Sequence, residues 1–269
     1  MDNENEMIES FFAENPVSSA TEKVYKRAIN KLHEKHPDFS TCTSSNLRKF
    51  LEDTGWGTSL CYTASIAVKK YIRWRYGSQH PALHLRVKRE DSKPGRTLNK
   101  ARAETLLKSF DLGTIKGKRD YAICKLALDT GLRVNELATL KFSDVNLEDQ
   151  QLLVRIKGGK WKVGVFPLDV RSAIADWCNY RRPGDDRLFQ VSRDGLRVIV
   201  RRWGEKAGFK LSPHDLRRSF ATLSTKNGAP SRLVQLAGRW SNIAMVERYT
   251  QVLTAEDYEG YYPTSHLEG

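Results

Sequence analysis

No stretch of this 269-residue sequence approaches the roughly 20 apolar residues that a membrane-spanning helix needs. No helical membrane anchor is expected. The opening, MDNENEMIES, has neither the basic start nor the apolar run of a secretion signal. Cysteine is scarce: Cys42, Cys61, Cys124 and Cys178 form no CxxC pair and no disulfide-framework spacing, which points to a reducing, cytoplasmic setting. Metal ligands are thin as well. His33/His36 and His80/His84 have pair spacing, but no cysteine or acid completes either set, and Pro81 interrupts the second. No acidic cluster has the look of a Mg²⁺ site, so neither metal nor cofactor is expected. There is no internal repeat and no low-complexity tract.

Bases are absent from residues 1–22, which hold six acids (Asp2, Glu4, Glu6, Glu9, Glu14 and Glu22). The whole chain nevertheless carries a net +13, with 45 Lys and Arg against 32 Asp and Glu. Past residue 22 those 45 bases face only 26 acids. A body that basic most often meets a polyanion, and nucleic acid is the commonest.

Capping and stop residues predict helices over 18–35, 44–55 and 58–77, with Gly55 and Gly77 closing the second and third. The third carries Lys69 and Arg73 on one face, beside Lys70, Trp74 and Arg75. Cations interleaved with an aromatic suit a phosphate backbone, although a solvated basic face has the same pattern. VKREDSKPGRTLNK (87–100) is charged, aperiodic and centred on Pro94-Gly95, as a linker is. Beyond it, helical periodicity resumes in KARAETLLKSF and RDYAICKLALDTGLRVNELATL, broken at Gly131. QLLVRIK (151–157) and VGVFPLD (163–169) read as hairpin strands around GGKWK, and helices continue to the end. The expected fold is mainly α: an all-α N-terminal domain over 1–90, a linker over 91–99, and an α-rich domain over 100–269 with a small antiparallel sheet.

Three clusters carry chemistry. In TGLRVNEL, Arg133 opens a helix and Glu136 lies one turn on, an ordinary i,i+3 ion pair if taken alone. In LSPHDLRRSFAT, Ser212 is a good N-cap, Pro213 suits the first helical position and Asp215 completes a capping box. His214 and Arg217 then share the first turn, where free backbone N–H groups favour a phosphate-like anion. In LAGRWSNIAMVERYTQ, Trp240 precedes Tyr249 by nine residues. By default Tyr249 is a core tyrosine on an apolar helix face. A fourth stretch, SRDGLRVIVRRWGEKAGF, predicts a helix with Arg193, Arg197 and Arg201 at i, i+4 and i+8, a stripe suited to a major groove.

Taken in order, Arg133, His214-x-x-Arg217 and a tyrosine nine residues after an aromatic donor resemble the tyrosine recombinases, across most of the second domain. HDLRRSFAT is similar to the Xer and phage-integrase branch, whereas AGRWSNIAMVERY resembles the Cre-type members, with Trp240 where the former branch has His. The resemblance implies a SAM-like core-binding domain followed by a catalytic domain. It also implies site-specific cleavage and rejoining of double-stranded DNA through a 3′-phosphotyrosine at Tyr249, without metal or ATP. Arg133 and Arg217 would grip the phosphate, His214 and Trp240 would add N–H donors, and Glu136 would orient Arg133. The family's hairpin lysine falls on Lys160, with Lys157 in reserve and Lys162 nearby. The tail after Tyr249, with Tyr258, Tyr261 and Tyr262, would dock on a neighbouring protomer in a tetramer or pack on its own domain. A topoisomerase of the type IB kind, or a DNA-binding protein that has lost catalysis, would share much of this pattern.

Overall fold

The computed structural model describes residues 2–88, 95–156 and 158–250. The chain packs as two units, Met1–Ser92 and Lys93–Gly269. No described helix is long and apolar enough to cross a membrane.

The first unit holds α1 (Asp2–Glu14), α2 (Ser19–Lys35), α3 (Ser44–Asp53) and α4 (Thr58–Tyr76). Ser18 caps α2, a Thr43–Asn46 capping box starts α3, and Gly77, at φ +87°, ends α4. Its core gathers Ile8, Phe11, Ile29, Leu32, Phe39, Leu47, Phe50, Val68 and Tyr71. The acidic run at the start is helical, which charge alone had hidden: Ile8, Phe11 and Phe12 turn inward, and the Phe11 ring meets Tyr71 edge-on at 5.4 Å.

This packing alters the reading of α4. Trp74 meets Phe11 edge-on and donates its indole N–H to Glu14, 2.8 Å away, so it belongs to the α1 contact. Lys69 Nζ donates to the Leu85 carbonyl at 3.0 Å, which ties it to its own unit. Arg73 and Lys70 remain exposed.

The second unit opens with α5 (Lys100–Lys108), α6 (Ile115–Thr130) and α7 (Val134–Thr139). A sheet of β1 (Val145–Asn146), β2 (Gln151–Arg155) and β3 (Trp161–Val165) follows, antiparallel throughout, with Leu153 opposite Val163. Then come α8 (Leu168–Cys178), α9 (Arg193–Lys206), α10 (Pro213–Lys226), α11 (Ser231–Ala237) and α12 (Ala244–Thr250). The second strand of the hairpin ends at Val165, not Asp169. Pro167 caps α8 instead, because its fixed φ and missing N–H suit a helix start better than a strand interior.

Residues 95–99, expected to be linker, pack on this unit. Leu98 is buried in its core, the Leu98 N–H donates to Ser219 Oγ at 2.7 Å, and Arg96 pairs with Asp215 at 3.2 Å. Lys157 and the tail beyond Thr250 lie outside the described residues.

Candidate active site

The site is built on the start of α10. Ser212 Oγ accepts from the Asp215 N–H, and Asp215 Oδ2 accepts from the Ser212 N–H at 2.9 Å, closing the expected capping box. Arg96 and Arg218 (Nη1 to Oδ1, 3.1 Å) clamp the same carboxylate, a bracing that capping rules alone do not reveal. With the first turn fixed, His214 and Arg217 project from it.

Arg217 is only 2% exposed. One of its terminal nitrogens donates to the Gly131 carbonyl and the other to the Gly238 carbonyl, 2.7 Å away. Its guanidinium lies 4.1 Å from the centre of the Trp240 ring, a cation–π contact. Two of its five N–H groups are spent this way, and the residue still lines the cavity described below. Burial and the nearby charges of Arg133 and Arg239 bring its pKa down to about 9, against the pull of Glu136 and Tyr249. It stays cationic at neutral pH.

Gly131 is required where it stands. It holds φ +61°, and a Cβ there would fall 2.5 Å from the Phe220 ring. The turn it makes places Arg133 at the N-cap of α7. Glu136, 5% exposed, accepts from Arg133 Nη1 and from the Arg133 backbone N–H, both at 2.8 Å. The i,i+3 pair expected from sequence is therefore partly buried and doubly bonded, which gives it a fixed direction.

A cavity of about 710 Å³ gathers Arg133, His214 and Arg217 with Arg193, Arg197 and Arg201 of α9. The stripe and the three clustered residues, of which Arg133 lies far from the others in sequence, thus share one basic surface. Among the described residues, the α9 arginines Arg193, Arg197 and Arg201 pair with the exposed acids Asp194 and Glu205 at 2.8–3.6 Å, pairs that contribute little and are easily exchanged. The pKa of His214 is held below its ordinary value by partial burial first, then by Arg218, Arg217 and Arg133, with Asp215 opposing. At neutral pH its imidazole can therefore accept a proton.

Behind Arg217 lies a small apolar cluster of Phe220, Ala221, Val234, Trp240 and Val246, with Tyr249 packed against it. Trp240 stacks on Phe220 at 6.0 Å and 18°, and meets Tyr249 at 5.9 Å. Thr222 Oγ1 donates to the Tyr249 carbonyl at 2.8 Å, pinning the end of α12 to α10. Tyr249 is half-buried, so its backbone is fixed while its ring sits at the edge of the cluster. Lys160 stands apart at the exposed tip of the β2–β3 hairpin, where its carbonyl accepts from Ile156 N–H, and Lys162 is exposed in β3. Among the described residues, no hydrogen bond joins Lys160 to the other candidates.

One central residue gave no sequence signal. Arg239, between Gly238 and Trp240, is buried, and its backbone is left-handed at φ +58°. That conformation costs a non-glycine residue about 1–2 kcal/mol. No group of three or more His, Cys, Asp or Glu side chains capable of holding a metal occurs among the described residues.

Comparison with known proteins matches residues 96–256 to the phage integrase family. The chain is 30% identical over 198 residues to a tyrosine recombinase XerA of Saccharolobus solfataricus, covering 73% of this chain and 64% of that protein. The match thus spans just under two thirds of that relative's length. A tyrosine recombinase XerD of Oceanobacillus iheyensis is 27% identical over 291 residues, covering 95% of this chain and 98% of its own. Among solved structures, XerH site-specific recombinase bound to a palindromic difH substrate, in a post-cleavage complex, superposes with a TM-score of 0.76 at 22% identity, over 91% of this chain and 80% of that one.

Proposed function

The chain belongs to the phage integrase family, and on that premise we propose that it is a site-specific DNA recombinase acting through a covalent tyrosine intermediate. The observation that carries this reading is the convergence of Arg133, His214 and Arg217 on one cavity lined by the α9 arginines, with Tyr249 packed beside Arg217's partner Trp240. A phosphodiester resists attack because its non-bridging oxygens repel nucleophiles and gain charge as phosphorus becomes five-coordinate. Two fixed guanidiniums aimed at those oxygens relieve both effects. The solved XerH neighbour is itself described as bound to a DNA substrate, and double-stranded DNA is the ligand this basic surface fits.

In the forward step the Tyr249 hydroxyl loses its proton to His214 and its oxygen bonds to phosphorus. The bond from phosphorus to the 5′-oxygen breaks, and that oxygen takes a proton from Lys160. The product is a 3′-phosphotyrosine and a free 5′-hydroxyl. The reverse step joins a 5′-hydroxyl of another strand, and because the phosphodiester bond is conserved as an ester, no ATP is consumed. The first unit is the core-binding domain, with Arg73 and Lys70 among its exposed cations, and a tetramer on two DNA sites in the cytoplasm is the working assembly. The positive charge that a metal would supply comes from arginine, lysine and imidazole.

The test is capture. The protein is incubated with fragmented genomic duplex DNA in excess EDTA, and adducts are recovered by phenol partition and sequenced. One site should be enriched, attached through Tyr249, and Tyr249→Phe should bind DNA yet capture none. An undiminished adduct in that variant, or an absolute need for Mg²⁺, overturns the reading.

A further inference from the structure

Arg239 touches α6, α7, β3 and the end of α11, yet has no part in the steps above. Its side chain is 1% exposed. Nη1 donates to the Ala237 carbonyl at 2.7 Å, at the end of α11. Nη2 donates to the Thr130 carbonyl at 2.9 Å, one residue before the Gly131 carbonyl that anchors Arg217, and lies 3.9 Å from Glu136 Oε2. Its guanidinium also lies against β3, close enough that a Cβ at Gly164 would stand 3.1 Å from Nη1.

The backbone turn does not explain this arginine. Glycine adopts φ +58° without strain, whereas arginine is strained there and is left with a buried Nε that has no hydrogen-bond partner among the described residues. What the position gains is the side chain. Glu136 offers Oε1 to the Arg133 guanidinium and Oε2 to the Arg133 backbone, and Arg239 faces that second oxygen. The carboxylate is thereby held on both edges. Charge balance points the same way: Glu136 alone would offset one of the two phosphate-facing arginines, and Arg239 supplies the cation that offsets Glu136 instead.

We propose that Arg239 is a positioning residue for strand cleavage, which fixes the direction of the Arg133 guanidinium through Glu136 and leaves the full charge of Arg133 and Arg217 to the scissile phosphate. This rests on the reading of Arg133 as a phosphate-gripping residue. Arg239 does not line the cavity that Arg133 and Arg217 line, so it acts without touching DNA.

The experiment compares wild type, Arg239→Met and Arg239→Lys on a nicked duplex carrying the captured site, with either a normal scissile phosphate or a methylphosphonate. In the methylphosphonate one charged non-bridging oxygen is replaced by a methyl group. Arg239→Met should cleave the normal phosphate about tenfold to a hundredfold more slowly, the scale of a small misplacement of a catalytic group, with DNA affinity within about twofold of wild type. On the methylphosphonate, which has less charge to balance, the loss should shrink below about threefold. Arg239→Lys, which keeps the cation, should recover part of the rate on the normal phosphate. Equal losses of Arg239→Met on both substrates would mean that the variant has merely lost structure, and no loss on either would mean that Arg239 positions nothing; each overturns the proposal. Tyr249→Phe runs alongside: an adduct there defeats the recombinase reading itself, whereas a Tyr249-dependent adduct with an unimpaired Arg239→Met defeats this inference alone.

Discussion

Trp240 is stacked on Phe220 and lies 4.1 Å from the Arg217 guanidinium. Both contacts use the aromatic face, and phenylalanine preserves them where imidazole supplies less surface. We propose that packing is the larger part of its role. Trp240→Phe should cleave a nicked duplex within about tenfold of wild type, and Trp240→His should be slower. Were the indole N–H the main contribution, its loss would remove a charge-assisted hydrogen bond of about 1.5–3 kcal/mol, roughly ten- to hundredfold in rate, and the order would reverse. His214 is tested by pH. A base works only when neutral, and burial together with Arg218, Arg217 and Arg133 lowers its pKa from 6.5. Single-turnover cleavage at subsaturating enzyme should therefore rise with pH on an acid limb whose midpoint lies below 6.5, and be flat above it. His214→Gln should abolish that limb along with most of the rate. An unchanged limb in the variant would assign it to another group.

At the scale of elements, the hairpin is the part whose role depends most on a ligand. Lys160 is exposed at its tip, and the site cavity is lined without it. A general acid for the leaving 5′-oxygen becomes dispensable when that oxygen is replaced by sulfur, which departs without a proton. Lys160→Ala should thus be severely slow on the normal duplex and close to wild type on the 5′-phosphorothiolate. If Lys157→Ala shows that rescue and Lys160→Ala does not, the assignment moves. Much of the element pattern was legible. Ser18 and Ser212 announce helix starts, and Gly77 and Gly131 announce stops, because capping and left-handed turns depend on nearby residues alone. The capping box likewise placed His214 and Arg217 on one turn before any tertiary information. What was not legible depends on contacts distant in sequence. Helix α1 stays in place because Phe11 meets Tyr71, Lys69 turns to Leu85, and Arg239 acquires its meaning only from Thr130 and Glu136, more than 100 residues earlier.

For the whole molecule, the uneven charge is the governing quantity. The excess acids lie on α1, where Glu6 and Glu9 are exposed, while the arginines of α9 surround the candidate site. A net charge of +13 would attract DNA to any basic face. What distinguishes the α9 stripe is that its arginines pair with exposed acids and share a cavity with Arg133 and Arg217. Exposed ion pairs are worth about 0–1 kcal/mol, so Arg193, Arg197 and Arg201 can give up Asp194 and Glu205 for phosphates at small cost. Each cation that neutralises a phosphate releases condensed counterions and adds about −0.9 to the slope of log K against log salt. Replacing all three arginines with alanine should make that slope shallower by about 2 to 3, measured by DNA binding across a salt series with the Tyr249→Phe protein to prevent cleavage. Replacing the acids instead should tighten binding while leaving the slope almost unchanged, because the same phosphates are met. A triple variant that binds more weakly at an unaltered slope would mean that these arginines read base edges in the major groove rather than the backbone. In that case the specificity of the captured site should relax at the base pairs they contact.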